Sequence, residues 1–452
     1  MRVAPMKVVV VGAGEVGFHL ADRLSKERHE VTIIENDPQK HSMLRSKLNA
    51  LVVEGSGASA QALEEADVAH ADLFIAVTRH DEVNLVACLL AAELGAKEVV
   101  AGSKSLDFSR AEWAPNASRL GISRIINPQM VVADEIMSMI GYAGAAEVAE
   151  FAHGRVVFLG FPINAQSPIN GVSMRTLGNI RGIYRLIVTA ISRGDETIIP
   201  RGDDMVEVGD ILYFVCKRED LPAITDLFGF EPQKTRRIFI LGGGRVGSEI
   251  ARRLAHRHYR ITIIDHNLER CEKLAGSLRN VQVLHTDGTD VSTLRNEGLE
   301  DADVFIAVTQ DEQSNMLCSL LAKRYGVPRV IALVDRPEYL QLAPSLGIDA
   351  CVSPRTATVS AMLKYVRRGE VVDIEVLEQS EAEVIELELP KESPILGKPL
   401  KALGVPKSSI VGAVVRKDGV LIPSGDDHFE PEDHVIVFTL PDGVAQVEKF
   451  FA

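Results

Sequence analysis

Cysteine is scarce in this chain, and none of it falls in a pattern that chemistry uses. Cys88, Cys216, Cys271, Cys318 and Cys351 are scattered, odd in number and without any C-x-x-C or Cys/His spacing. That excludes a disulfide framework and a zinc site and leaves buried, reduced thiols as the reading. No apolar run approaches the length needed to cross a bilayer. The opening residues, Met1 to Lys7, lack the apolar core of a signal peptide, so a cytoplasmic location is expected. Lysine and arginine form no runs, and a formal net charge of -14 repels phosphate backbones and anionic lipid headgroups. Nucleic acid is therefore not an expected partner. A catalytic set is missing too, since none of the 12 histidines recurs at matching positions beside a base or nucleophile.

What the chain does have, it has twice. Val10-Val11-Gly12-Ala13-Gly14-Glu15-Val16-Gly17 returns as Ile240-Leu241-Gly242-Gly243-Gly244-Arg245-Val246-Gly247, 230 positions later. Val31-Thr32-Ile33-Ile34-Glu35 returns as Ile261-Thr262-Ile263-Ile264-Asp265, and Asp72 to Thr78 as Asp303 to Thr309. Beyond these, Ser167-Pro168-Ile169 with Gly171 matches Ser393-Pro394-Ile395 with Gly397, and Ile199 to Asp204 matches Ile422 to Asp427. The order is A-B-A-B. At 452 residues the chain exceeds what one core organises, and four modules are expected: 1–140, 141–231, 232–368 and 369–452, with the central cut near Pro232-Gln233-Lys234.

Module A reads as a nucleotide-binding βαβ unit. The β-branched run Lys7 to Val11 suits a parallel strand buried on both faces, and Val16, Leu20 and Leu24 give the following helix one apolar face, as Val246, Ile250 and Leu254 do in the second copy. A lone G-x-G-x-x-G is weak, but here it sits between strand and helix in both copies. The first glycine allows the tight turn, the second lets backbone approach a diphosphate, and the third lets helix and strand close together. The helix N-terminus offers N–H groups and a positive dipole end. Glu35 and Asp265 lie 18 residues past the last glycine, where a carboxylate accepts from ribose hydroxyls and disfavours the 2′-phosphate of NADP. Ser56-Gly57 with Asp287-Gly288, and Thr78-Arg79 with Thr309-Gln310, are expected along the nucleotide at further strand ends. Asp81-Glu82 and Asp311-Glu312 are read as a matching pair of helix-start acids that offset the dipole.

Each module A closes with a helical pattern, Val132, Ile136 and Ile140 in one copy and Val359, Leu363 and Val366 in the other. Module B then carries short strands and turns, among them Arg155 to Leu159, Leu186 to Ile191 and Ile211 to Val215, with Val208-Gly209-Asp210 answering Pro431-Glu432-Asp433.

Taken together, the glycine turns, Glu35 and Asp265, the two Ala-Val-Thr strand ends and the S-P-I-x-G and I-P-x-G-D-D elements resemble the TrkA family of potassium-uptake regulators. These are built from two tandem regulators of K⁺ conductance (RCK domains), and the resemblance covers nearly the whole chain. It implies an α/β fold with two tandem Rossmann-like, doubly wound parallel-sheet domains, each followed by a small α+β C-terminal lobe. It implies that NAD(H) and ATP or ADP bind the N-lobes, with no substrate turned over. The site residues would be Gly12, Ala13, Gly14, Glu15, Val16, Gly17, Glu35, Ser56, Gly57, Thr78, Arg79 and Lys104 in the first copy. In the second they would be Gly242, Gly243, Gly244, Arg245, Val246, Gly247, Asp265, Asp287, Gly288, Thr309 and Gln310. It further implies a homo-oligomeric ring, peripheral on the inner face of the cell membrane, that gates a potassium-translocating subunit of the TrkH, TrkG or KtrB type.

The chain departs from that pattern where an arginine commonly follows the fifth strand. Gly102 and Leu333 stand there instead, with Lys104 and Arg336 close enough in sequence either to substitute or to form surface salt bridges. Glu15 repels phosphate where Arg245 attracts it, so the second site is expected to suit charge-rich nucleotides better. The rival from another class is an NAD-dependent oxidoreductase with module B as substrate domain, and a third reading is a nucleotide sensor without a channel partner.

Overall fold

The computed structural model describes residues 5–105, 108, 114–140, 142, 144–180, 185–194, 196–229, 235–256, 258–363, 365, 370–377 and 382–451. Pro232-Gln233-Lys234 and Val366 lie outside them, and the boundaries expected at 140/141, 231/232 and 368/369 each touch undescribed residues.

Two six-stranded parallel sheets alternate along the chain with two five-stranded antiparallel ones. The first parallel sheet has Lys7–Val11 at its centre, flanked by Glu30–Glu35 and Leu73–Ala76, with Leu51–Glu54 outside one and Glu98–Gly102 then Arg124–Ile126 outside the other. The second repeats this order around Arg237–Leu241. Val8, Val9 and Val10 have no exposed surface, nor do Ile238, Phe239 and Ile240, as strands covered on both faces require. Helix Glu15–Lys26 turns Leu20, Ala21 and Leu24 to the sheet, and helix Arg245–Leu254 turns Ile250, Ala251 and Leu254. In both sheets the strand order reverses beside the central strand, which opens a crevice at the carboxyl ends.

The antiparallel sheets are built from Glu147–Phe151, Val156–Pro162, Leu186–Arg193, Glu196–Ile198 and Ile211–Lys217, and from Glu370–Val376, Glu383–Glu388, Ser409–Arg416, Gly419–Leu421 and His434–Thr439. They share one core, in which Phe158 stacks on Tyr213 at 5.5 Å and on Phe438 at 6.3 Å. Asp210 and Asp433 recur because each, almost fully buried, accepts from an arginine of its own sheet: Arg193 Nε at 2.7 Å and Arg416 Nε at 3.0 Å.

Chain order and compaction differ. One compact unit comprises Met1–Val131, Arg355–Gly369 and Val444–Lys449; the other comprises Val132–Pro354, Glu370–Gly443 and Phe450–Ala452. The helix Pro354–Leu363, with Val359 and Leu363 buried, thus counts mostly with the first unit, and Pro128–Ile140, with Val132, Ile136 and Ile140 buried, mostly with the second. No disulfide joins the five cysteines, four of which are buried. Among the described residues no helix is long and apolar enough to cross a membrane.

Candidate functional site

The two glycine loops have one geometry. Gly12 at φ +95° and Gly242 at φ +104° occupy the left-handed region that only glycine enters without strain. A Cβ on Gly17 would stand 2.0 Å from the Gly12 carbonyl oxygen, and one on Gly247 would stand 1.9 Å from that of Gly242, so the third glycine lets the helix close on the turn. The middle glycines behave differently: a Cβ on Gly14 or Gly244 would meet nothing within 4 Å. Open space therefore lies over the point where each helix begins, Glu15 in one copy and Arg245 in the other. Both of those side chains are exposed, while Val16 and Val246 are half-buried in the first helical turn.

The strand-end carboxylates are engaged from within. Glu35 Oε2 accepts from the Ala13 N–H at 2.7 Å, and its Oε1 accepts from Asn36 and Asp37 N–H, both at 3.0 Å. Asp265 Oδ2 accepts from Gly243 N–H at 2.8 Å and its Oδ1 from Asn267 N–H at 2.8 Å. Each acid thus fixes the glycine loop; Asp265 Oδ1 keeps a lone pair for a ribose hydroxyl, and Glu35 Oε2 gains one where Lys40 Nζ, at 3.4 Å, moves aside. A cation five residues on accompanies both: Lys40 Nζ at 3.4 Å from Glu35 and Arg270 Nη1 at 2.8 Å from Asp265. Burial pushes the Asp265 carboxyl up, but hydrogen bonds from Asn267, Arg270 and Gly243 outweigh it and hold its pKa below the usual value. The stability this contributes is complete above the unfolded value of about 3.9 and is lost as pH falls through the lower folded pKa. Asp265→Asn should accordingly flatten the acid limb of a stability-against-pH curve while lowering stability at neutral pH, as thermal melts from pH 7 down to pH 2 would show.

At the fourth strand end, an asparagine clamp that the sequence reading passed over recurs in both copies. Asn84 Oδ1 accepts from Thr78 N–H at 2.8 Å and from its hydroxyl at 2.7 Å, while its Nδ2 donates to the Gly102 carbonyl at 2.8 Å. Asn315 does the same for Thr309, at 2.9 and 2.7 Å, and for the Leu333 carbonyl at 2.9 Å. Two strand ends are thereby locked in register, and the signal in the sequence is an asparagine six positions after each threonine on the buried helix face.

The helix-start acids need a correction. The pairing Asp81-Glu82 with Asp311-Glu312 is off by one, because the asparagine clamp aligns Asp81 with Glu312. These acids also do more than offset a dipole. Asp81 accepts from Ser103 Oγ at 2.9 Å and from Lys104 and Ser105 N–H at 2.9 and 2.8 Å, and Glu312 accepts from Asp335 and Arg336 N–H, both at 3.1 Å. Each pins the loop after the fifth strand. Burial raises the Asp81 carboxyl, yet the Lys104, Ser103 and Ser105 hydrogen bonds hold it below the ordinary range. Lys104 is exposed at this loop, and Arg336 pairs with Glu312 at 2.7 Å.

In the second copy the strand ends enclose a cleft of about 360 Å³. Of the residues expected there, Gly242, Gly244, Asp265, Asp287, Gly288, Thr309 and Gln310 line it, joined by His266, Arg270, Thr286, Thr289, Asp311, Ser314 and Cys318. Gly243 lies behind, holding Asp265, and Gly247 lies beneath the turn. Gly57 and Gly288 leave room for the central strand, since a Cβ there would stand 2.2 Å from Val11 and 2.6 Å from Leu241. Matched positions carry different charge: Glu15, Ser56 and Arg79 in the first copy stand where Arg245, Asp287 and Gln310 stand in the second. The cation has moved from the fourth strand end to the helix start, and an acid from the helix start to the third strand end.

The family model described as the TrkA-N domain matches residues 8–128 and 238–354, and that of the TrkA-C domain matches 158–229 and 384–452. The Trk system potassium uptake protein TrkA homolog 1 of Methanosarcina mazei is 37% identical, over 99% of this chain and 100% of that one. The Trk system potassium uptake protein TrkA of Azorhizobium caulinodans is 35% identical, over 99% of this chain and 98% of that one. Among solved structures, the GsuK RCK domain superposes with a TM-score of 0.60 at 18% identity over 99% of this chain and 95% of that one. The GsuK channel bound to NAD does so at 0.61 and 19%, over 99% and 79%. At such identities these two speak for the fold, which is that of tandem RCK domains. The chain belongs to the TrkA family of Trk-system potassium uptake proteins.

Proposed function

We propose that the chain is a nucleotide-sensing regulatory subunit whose two Rossmann-like clefts bind NAD(H) and ATP or ADP without turning them over. The observation that carries this reading is the open space above Gly14 and Gly244, at a helix N-terminus, beside a carboxylate that also fixes the loop. Backbone N–H groups of residues 14–17 and 244–247 would hold the diphosphate, and Glu35 and Asp265 would accept from ribose hydroxyls. The four-module division at 1–140, 141–231, 232–368 and 369–452 belongs to the same proposal. So do a homo-oligomeric ring, a partner of the TrkH, TrkG or KtrB type and a cytoplasmic position at the inner face of the membrane. The names of its relatives and the NAD-bound GsuK channel support this assignment.

Gating demands a difference in affinity. A nucleotide shifts the partner only as far as it binds one conformation of the regulator better than the other. The displaced charges give two nucleotides a physical basis for unlike contacts with the two clefts. Potassium flux through a reconstituted partner should change with added nucleotide, and the change should vanish when Gly14→Val and Gly244→Val are combined. Flux that still responds in that double variant would sink the proposal.

A further inference from the structure

The strand order of the second parallel sheet assigns the base end of its cleft. The glycine loop follows the central strand Arg237–Leu241, Asp265 ends the next strand outward, and Asp287 follows the outermost, Val281–His285. A nucleotide whose diphosphate lies on the loop and whose ribose meets Asp265 therefore carries its base outward, toward Asp287. Asp287 lines the same cleft as Gly244 and Asp265.

The side chain is set for one task. Its Oδ1 accepts from the Thr289 N–H at 2.8 Å and the Thr289 hydroxyl at 2.7 Å, while Oδ2 has no hydrogen bond among the described residues. The Thr289 N–H and hydroxyl hold the carboxyl below its usual range, so at neutral pH Oδ2 is an acceptor and nothing else. The first copy has Ser56 at this position, whose Oγ accepts from Ala58 N–H at 3.2 Å and whose hydroxyl can still donate elsewhere.

Resting on the nucleotide reading above, we propose that Asp287 reads the base in the second cleft. It selects a purine whose six-position donates a hydrogen bond, adenine, over one whose six-position accepts, hypoxanthine or guanine, and the first cleft lacks this selection. Adenine places its exocyclic N–H against Oδ2, whereas a carbonyl oxygen there sets two acceptors face to face.

The test uses the full chain with one cleft filled. Gly14→Val adds bulk where a Cβ meets nothing within 4 Å, on the open side of the loop where the first cleft's diphosphate would lie. Calorimetric titration of that chain with ADP and IDP should show ADP binding tighter by about tenfold, the worth of one charge-assisted hydrogen bond. Adding Asp287→Ser should bring the ratio below about threefold. In the Gly244→Val chain, where only the first cleft is open, Ser56→Asp should raise the ratio. Equal affinity for ADP and IDP in the second cleft, or a ratio that Asp287→Ser leaves unchanged, overturns the base-reading role and leaves the nucleotide site standing. Binding of neither ligand in either single-cleft chain overturns the site itself, and the role of Asp287 with it.

Discussion

Gly247→Ala should cost about 3 kcal/mol and remove nucleotide binding from the second cleft, whereas Gly244→Ala should leave stability unchanged. The contrast follows from what a methyl group meets. At 247 it would lie 1.9 Å from the Gly242 carbonyl oxygen, backbone that no rotamer change can move aside, so the helix must lift from the turn. At 244 it would meet nothing. Lifting the helix also carries Gly243 away from Asp265, which leaves a carboxylate nearly buried and short of one donor. Thermal melts of the two variants should differ by about 5–10 °C. Equal melting points would mean that the third glycine does not set the helix position.

Arg329→Ala should be comparably damaging, at about 3 kcal/mol, although this residue touches no nucleotide-binding residue. Its guanidinium is almost fully buried and donates to the Tyr142 carbonyl and, at 2.9 Å, to the Ala145 carbonyl. Burial pulls its pKa down to about 10, against the opposing field of Asp349, so it stays charged at neutral pH. Truncation leaves the Ala145 carbonyl without its donor, strips the Tyr142 carbonyl of one of two, and opens a cavity the size of the side chain. Arg329→Lys keeps the charge but loses the two-pronged donor, so it should recover less than half of the loss. Urea denaturation gives the comparison; an Arg329→Ala chain as stable as the parent would contradict it.

The parallel sheets, their helices and the glycine loops were legible because each rests on local pattern. Lys7–Val11 and Arg237–Leu241 are apolar on both faces, and Leu20 with Leu24 and Ile250 with Leu254 mark a helical face. Duplication sharpened every such signal. It also misled twice. Asp311-Glu312 resembles Asp81-Glu82, but the acid that pins the loop is Glu312, one position further on, since Asp311 instead caps its helix by accepting from Ser314 N–H at 3.0 Å. Arg329 stands where the first copy has Glu98, so comparing the copies hides its role. What makes Arg329 matter is burial against residues 184 and 187 positions away in the chain, which no periodicity reveals. The charge contrast between Glu15 and Arg245 was visible, but its meaning was incomplete. Asp287 and Gln310 change the balance in the second cleft, so the contrast is one of where charge lies rather than how much.

The carboxylates Glu35 and Asp265 are poor targets for testing nucleotide binding, because removing either also removes the acceptor of a loop N–H. The middle glycines avoid this. The decisive measurement is calorimetric titration of the full chain, stripped of nucleotide, with NADH, NAD⁺, ATP and ADP, followed for turnover and repeated for Gly14→Val, Gly244→Val and the two combined. Two binding events, each lost with one substitution and both lost in the double variant, with every nucleotide recovered unchanged, is the expected result. A parent chain that binds none of the four, or a double variant that binds as the parent does, would contradict a pair of sensing clefts built on these loops.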